Sequence, residues 1–387
     1  MGQGYYLAID AFRLVSEPKT SGAFVVSELV REISRHSNIK KIILLLPEKP
    51  GSNFSFQDLL ENSKIEILCP EKPCTPHKNF RNSLKWIQFE IPKLIKNVEI
   101  THFLAPYHQA PIFLKHQIKV ITIIHDICGI LPSAGANYYK KSPYRHWINF
   151  FTALARSDAF IYDSEFTKSS FEHLFHSAKK KTCSVIYPKP TITPVSDKAT
   201  IERLISQWGI SYKEYFFALG AEGLRKGTDL TLGAYRQYLA SGGKKKLVLL
   251  VANDSISYFS QNFKDLAGDV ILVNSLTNAE RDALYAGANA LVFPSRGEGF
   301  GYPILEAMCQ GCPPIALDNS PAKEITAGSV QNLDKLQIEE IVRLMWVYET
   351  ISVNNRKVLE EKLIFRANEF IAQIDLTQKF ISLLQSI

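Results

Sequence analysis

Short apolar, β-branched runs alternate with longer amphipathic stretches along nearly the whole chain, and that alternation most restricts how it can fold. Such runs read as strands at Tyr5–Asp10, Lys41–Leu46, Ile65–Leu68, Ile100–Leu104, Val120–Ile124, Ala159–Tyr162 and Val185–Tyr187. A second set follows at Tyr215–Leu219, Leu247–Val251, Val270–Val273, Ala290–Phe293 and Pro314–Leu317. Apolar runs separated by helical segments predict βαβ units, and hence parallel sheets covered on both faces. Between the two sets lies YPKPTITPVSDKAT, Tyr187 to Thr200, which is proline-rich, lacks periodicity and reads as a linker. A chain of 387 residues exceeds what one core usually organises. The expectation is therefore α/β, with two Rossmann-like doubly wound domains facing across a cleft, and ligands at the carboxyl ends of the strands.

Composition narrows the class. With 46% hydrophobic and 21% charged residues the chain is globular rather than disordered. No run of eighteen apolar residues occurs, and MGQGYYLAID lacks a basic stretch followed by an apolar one, so a soluble, unsecreted, cytoplasmic protein is expected. MGQGYY carries Tyr6 where a myristoylation signal needs Ser or Thr. Six cysteines in this length fit a reducing compartment; Cys309 and Cys312, like Cys69 and Cys74, read as packing residues. Residues 1–200 hold 26 Lys and Arg against 17 Asp and Glu, while the remainder is slightly acidic. A basic first half would attract anionic partners such as lipid head groups.

The segment PSRGEGFGYPILEAM, Pro294 to Met308, sets Glu298 among glycines and Glu306 just after a proline. A strand ends at Ser295, a Gly-rich loop follows, and Pro303 is expected at the first helical position, where its missing N–H is not needed. Glycines let the backbone approach a ligand, and amides at a helix start can hold anionic oxygens. Glu306 is expected in the first helical turn, where its two oxygens could take both hydroxyls of a ribose-like diol. Upstream, the adjacent cations Arg225 and Lys226 follow another strand and could neutralise a diphosphate.

The whole of YAGANALVFPSRGEGFGYPILEAMCQGCPPIA resembles the donor-site signature of retaining GT-B glycosyltransferases that carry an E-x7-E motif, a bacterial group related to mannosyltransferases. FALGAEGLRKGTDLTLGAYRQY resembles the family's pyrophosphate loop, with Arg225 and Lys226 as its basic pair. VITIIHDICGILP resembles its His-Asp turn, which would put His125 beside the donor sugar. In IDAFRLVSEPKTSGAFVVSELVREI, Gly22 matches a glycine that nears the donor phosphates, but Gly-Ala-Phe replaces the usual Gly-Ile-Gly. YDSEFTKSSFEHLF, with Ser164 and Lys168, resembles the segment near the end of the first domain. The resemblance departs again at Ala252-Asn253-Asp254, where a glycine is common, and at Tyr302, where Leu is common.

The resemblance implies an acceptor-binding domain over 1–195, a nucleotide-sugar domain over 196–365 and a C-terminal helix, 366–387, returning to the first. It implies a retaining hexosyltransferase that moves a sugar, mannose from GDP-mannose in the first instance, to a saccharide or lipid-linked acceptor in cell-surface polysaccharide or lipopolysaccharide biosynthesis. Catalytic candidates are Glu298, His125, Arg225 and Lys226. Donor contacts are assigned to Gly22, Arg225, Lys226, Gly299, Phe300, Gly301, Tyr302 and Glu306. No carboxylate nucleophile is assigned, since such transferases are thought to react on one face with the leaving diphosphate helping to deprotonate the acceptor. No Asp-x-Asp occurs, so neither a metal nor a further cofactor is expected. A UDP-sugar donor, a catalytically silent nucleotide-sugar binder and a phosphorylase of the same fold stay open. A nicotinamide oxidoreductase lacks its G-x-G-x-x-G loop, and no nucleic-acid partner is expected. Lastly, ANYYKKSPYRHWINFFTALAR, residues 136–156, mixes Tyr138, Tyr139, Tyr144, Trp147 and Phe151 with Lys140, Lys141 and Arg145. With Lys179–Lys181, this mixture suits peripheral association with an anionic membrane.

Overall fold

The computed structural model describes residues 4–130, 144–222 and 224–387. These divide into two compact units, the first holding 4–130, 144–188 and 374–387 and the second 189–222 and 224–373. The two are both doubly wound α/β units, the GT-B pattern.

In the first unit β1 (Tyr5–Asp10), β2 (Ile39–Leu45), β3 (Ile65–Leu68), β4 (His102–Ala105), β5 (Lys119–Ile124), β6 (Ala159–Tyr162) and β7 (Thr182–Val185) form one sheet in the order β3-β2-β1-β4-β5-β6-β7. Every pairing is parallel; Leu7 on β1, for example, faces Ile42 on one side and His102 on the other. The centre of the sheet is apolar on both faces, with Leu7, Ala8, Ile9, Ile42, Ile43, Phe103, Leu104, Val120 and Ile121 all inaccessible to solvent. Each fully buried side chain of the Val, Leu, Ile or Phe type stabilises the fold by about 1.5–3 kcal/mol relative to exposure. The helix Leu376–Gln385 closes this unit, burying Phe380, Ile381 and Leu384 and donating from Lys379 Nζ to the Val185 carbonyl at 2.9 Å.

The second unit repeats the scheme with fewer strands: β8 (Tyr215–Leu219), β9 (Lys246–Leu250), β10 (Val270–Val273), β11 (Leu291–Val292) and β12 (Pro314–Ile315) in the order β10-β9-β8-β11-β12, again all parallel. In both sheets the chain winds outward from a central strand and then returns to that strand's other side. The loops leaving β1 and β4, and those leaving β8 and β11, consequently diverge and open a crevice at the carboxyl ends.

Several strand boundaries differ from expectation by one to three residues. β7 lies earlier than Val185–Tyr187: Thr182, Cys183 and Ser184 pair with β6 although none is strongly apolar. As an edge strand β7 is anchored on one side only, so its sequence need not advertise burial. β11 and β12 are shorter than the apolar runs that contain them, because Pro294 has no N–H with which to extend the ladder beyond Phe293.

Candidate active site

The switch point of the second sheet gathers the sequence motif and the basic pair. The loop after β8 is held by Thr228, whose hydroxyl accepts from the Ala221 amide at 3.0 Å and donates to the Ala221 carbonyl at 3.1 Å. Gly227 then caps the helix Thr228–Ala240 with φ +69°; a Cβ there would lie 2.0 Å from the Pro294 carbonyl oxygen, so only glycine lets the two loops touch. Across that contact the Arg296 amide donates to the Arg225 carbonyl at 2.7 Å, and the Arg296 guanidinium grips both oxygens of Asp229 at 2.7 Å. The backbone that carries Arg225 and Lys226 is thus fastened to the backbone that carries Glu298.

The side chains converge as well. Lys226 Nζ donates to Glu298 Oε1 at 2.8 Å, Arg225 Nη1 reaches the same oxygen at 3.4 Å and the Gly297 carbonyl at 3.1 Å, and Ser295 Oγ lies 2.7 Å from Glu298 Oε1. Lys226 also stands 5.0 Å from the centre of the Phe293 ring, close enough for a cation–π contact. All three charged side chains remain partly accessible to solvent. Gly299, Phe300 and Gly301 lead from Glu298 into the next helix, and Gly301 takes φ +91°. Phe300 packs edge-on against Tyr302 with ring centres 5.2 Å apart.

Glu306 sits differently from the sequence expectation. The helix runs Tyr302–Cys309, which makes Pro303 its second residue and puts Glu306 beyond the first turn. The dipole argument therefore gives way to side-chain partners on the helix Asn278–Gly287. Tyr285 donates to Glu306 Oε2 at 3.0 Å and Arg281 Nη1 stands 3.7 Å from Oε1. Burial raises the Glu306 pKa above the ordinary carboxylate value, and Arg281 and the Tyr285 hydrogen bond offset only part of that rise. Arg281 is itself oriented by Asp282, at 2.8 and 3.0 Å, and Asp282 accepts from the Thr193 amide at 2.9 Å.

In the first unit His125 follows β5. Its Nδ1 lies 2.7 Å from Asp163 Oδ2 and its Nε2 lies 2.7 Å from the Pro106 carbonyl oxygen. Both neighbours only accept, so both ring nitrogens carry protons and the ring is an imidazolium. Burial opposes that charge, but the charge and hydrogen bond of Asp163 outweigh it and raise the pKa above the ordinary histidine value. His108 completes the group at φ +66°, with its Nε2 accepting from the His125 amide at 3.0 Å. Burial first, and then the charged His125, push the His108 pKa down to about 3, which matches a ring that must keep a lone pair. Gly22 lies inside the first turn of the helix Ser21–Ser34, and its open side faces Arg13: a Cβ would meet Arg13 Nη1 at 2.8 Å. Ser164 caps the helix Glu165–Leu174 by accepting from the Thr167 amide at 3.0 Å, and Lys168 reaches Glu165 on the same helix at 3.8 Å.

Several partners were not singled out from sequence. Ser295 stood inside the motif. Arg281 and Tyr285, one helical turn apart, were announced only by the capping box Thr277-x-x-Glu280. Asp163 and His108 follow strand ends as His125 does, and that common placement was the available signal. Tyr138, Tyr139, Lys140 and Lys141 lie outside the described residues. Among the described residues no cluster of three or more His, Cys, Asp or Glu side chains is placed to hold a metal ion, and no helix is long and apolar enough to cross a membrane.

Known structures share this architecture over the full length. Sucrose-phosphate synthase from Thermosynechococcus elongatus superimposes with a TM-score of 0.70 at 15% identity, covering 99% of this chain and 98% of its own. WaaG, a glycosyltransferase involved in lipopolysaccharide biosynthesis, gives 0.68 at 15% identity over 96% and 97%. Anabaena Alr3699/HepE in complex with UDP and glucose gives 0.68 at 14% over 99% and 100%. The class is GT-B. Residues 214–341, about a third of the chain, match the model of the family described as Glycosyl transferases group 1. Its sequence is similar to O-antigen chain mannosyltransferase B of Escherichia coli, at 23% identity over 252 residues, 61% of this chain and 62% of that one. A serotype-specific mannosyltransferase WbdA of Escherichia coli is 30% identical over 114 residues, which are 28% of this chain but 14% of the larger relative.

Proposed function

We propose that the protein is a retaining glycosyltransferase that moves a sugar from a nucleotide diphosphate to a hydroxyl of a saccharide or lipid-linked acceptor, in the building of cell-surface glycan. The observation that carries this reading is the meeting of Arg225 and Lys226 with Glu298 across the switch point of the second sheet, on a loop pair that glycine at 227 allows to touch. In such a transfer positive charge grows on the sugar ring and negative charge on the departing diphosphate. Two preoriented cations and the amides near Gly299–Gly301 are the groups suited to the diphosphate. Glu306, held by Tyr285 and Arg281, is suited to the ribose hydroxyls, and Phe300 and Tyr302, packed edge-on against each other, are proposed as further donor contacts. His125, an imidazolium without a free lone pair, is suited to holding polar groups of the sugar rather than to taking a proton.

The likeness in sequence to mannosyltransferases favours mannose as the sugar, and GDP-mannose is the donor proposed in the first instance. A UDP-sugar is the alternative, favoured by the likeness in fold to a protein solved with UDP and glucose. Thermal-shift measurements with GDP-, UDP-, dTDP- and ADP-sugars decide between them, because a ligand at a hundred times its Kd adds about 2.7 kcal/mol to stability. No shift with any of the four would remove the reading. Binding without turnover on any saccharide acceptor would leave a silent binder, and the anomeric configuration of the product, read by NMR, tests retention. Attachment to an anionic membrane through residues 136–156 is supported by the exposed Tyr144 and Phe151 and by Arg145, which stacks 5.2 Å over Phe80. Flotation with anionic liposomes should weaken when Lys140, Lys141 and Arg145 are changed to Glu.

A further inference from the structure

Glu298 occupies the cations that the donor reading reserves for a diphosphate. Resting on that reading, we propose that Glu298 is a displaceable counter-ion: it neutralises Arg225 and Lys226 until a nucleoside diphosphate takes its place, and the released carboxylate then turns to the sugar. Its role is to position and select, admitting ligands with enough phosphate charge to win the exchange.

The surroundings make the exchange inexpensive in hydrogen bonds. Ser295 Oγ points its one proton at Glu298 Oε1 at 2.7 Å, yet the Arg225 carbonyl at 3.1 Å and the Gly297 carbonyl at 3.3 Å stand ready as substitutes. Arg225 keeps its bond to the Gly297 carbonyl at 3.1 Å when the carboxylate leaves. Lys226 keeps the face of Phe293. A diphosphate oxygen replaces the carboxylate oxygen on both cations, so no donor is stranded, which a buried unpaired group would penalise. The partial exposure of all three charged side chains gives the phosphate a route in. Glu298 follows two residues after Arg296, which is pinned to Asp229, and precedes the Gly299–Gly301 turn; the hinge is therefore on the side leading to Glu306.

A pair that must open before a ligand binds reduces apparent affinity by the open fraction. Isothermal titration of GDP, UDP and inorganic pyrophosphate into the wild-type protein and into Glu298→Gln tests this. The variant, which keeps the shape of the side chain and removes its charge, should bind the better nucleoside diphosphate roughly tenfold more tightly. Unchanged or weaker diphosphate binding by a variant with wild-type circular dichroism overturns the proposal while leaving the donor reading intact. Failure of all three ligands to bind either protein overturns both. Should the variant not fold, a crystal structure of the wild type with the diphosphate serves: Lys226 and Glu298 should be separated beyond salt-bridge range, and persistence of their 2.8 Å contact beside a bound diphosphate refutes the idea.

Discussion

The two units wind their sheets in the same sense around the same kind of switch point, yet they put opposite electrostatics there. At the carboxyl end of β1 the first unit buries Asp10, which accepts from Trp86 Nε1 at 2.8 Å, and after β6 it buries Asp163, which holds the half-buried His125 at 2.7 Å. The second unit leaves Arg225, Lys226 and Glu298 partly open to solvent. Burial fixes protonation state and geometry, whereas accessibility permits exchange of partners. The first switch point is thus built as a fixed wall and the second as a place where charge can change hands.

The largest expected effect breaks the second half of that contrast. One charge-stabilising donor is typically worth about 10²–10³ in rate. The double change Arg225→Met with Lys226→Met should therefore lower kcat/KM for the sugar donor by at least about 10³, while the urea midpoint moves little. A loss of less than about tenfold would show that the cations are not at the reacting phosphates.

The next concerns the first unit and pH. Burial raises the Asp10 pKa from 3.8 to about 7, against the opposing hydrogen bonds of Trp86 and the Phe12 amide. The folded state then holds a proton that the unfolded state has released, so this contribution is complete below pH 3.8 and is lost as pH rises towards 7. His125, also raised, adds a loss in the same direction above its ordinary value of 6.5. Asp10→Asn cannot ionise and should flatten the decline; the difference in unfolding free energy between wild type and variant should change by up to about 4 kcal/mol from acid to neutral pH. A parallel pair of pH curves from urea denaturation would place Asp10 in a wetter site than the fold describes.

Smaller again is Gly227→Ala. Its left-handed backbone alone costs about 1–2 kcal/mol with a Cβ present, and the clash with Pro294 adds to that. Destabilisation above about 2 kcal/mol, with weakened donor binding, is expected in a denaturation series. Tyr285→Phe should be the mildest, removing one hydrogen bond to Glu306 for about 1 kcal/mol. It should shift donor affinity more than melting temperature if Glu306 serves the nucleotide.

Much of this was legible before any coordinates. The apolar runs around Leu7, Ile43, Val120 and Leu249 marked central strands, because a strand buried on both faces has to be apolar at every position. The edge strand β7 was displaced because Thr182, Cys183 and Ser184 face fewer neighbours. The loop Glu298–Gly301 was recognisable from its glycines and the helix that follows. The position of Glu306 within that helix was misplaced by part of a turn, since Pro303 stands equally well at a first or a second helical position.

By itself, then, the sequence determined the number and character of the strands, the two-unit α/β class, the loop that carries Glu298 and the helix after it that carries Glu306, because those depend on periodicity and turn chemistry within a few residues. Only the tertiary structure decided that Lys226 meets Glu298, that Arg281 and Tyr285 turn to Glu306, that Asp163 holds His125 charged and that Arg13 fills the space above Gly22. Several of those pairings join loops that become neighbours through strand order, and strand order arises from how the whole sheet buries its apolar faces rather than from any local signal.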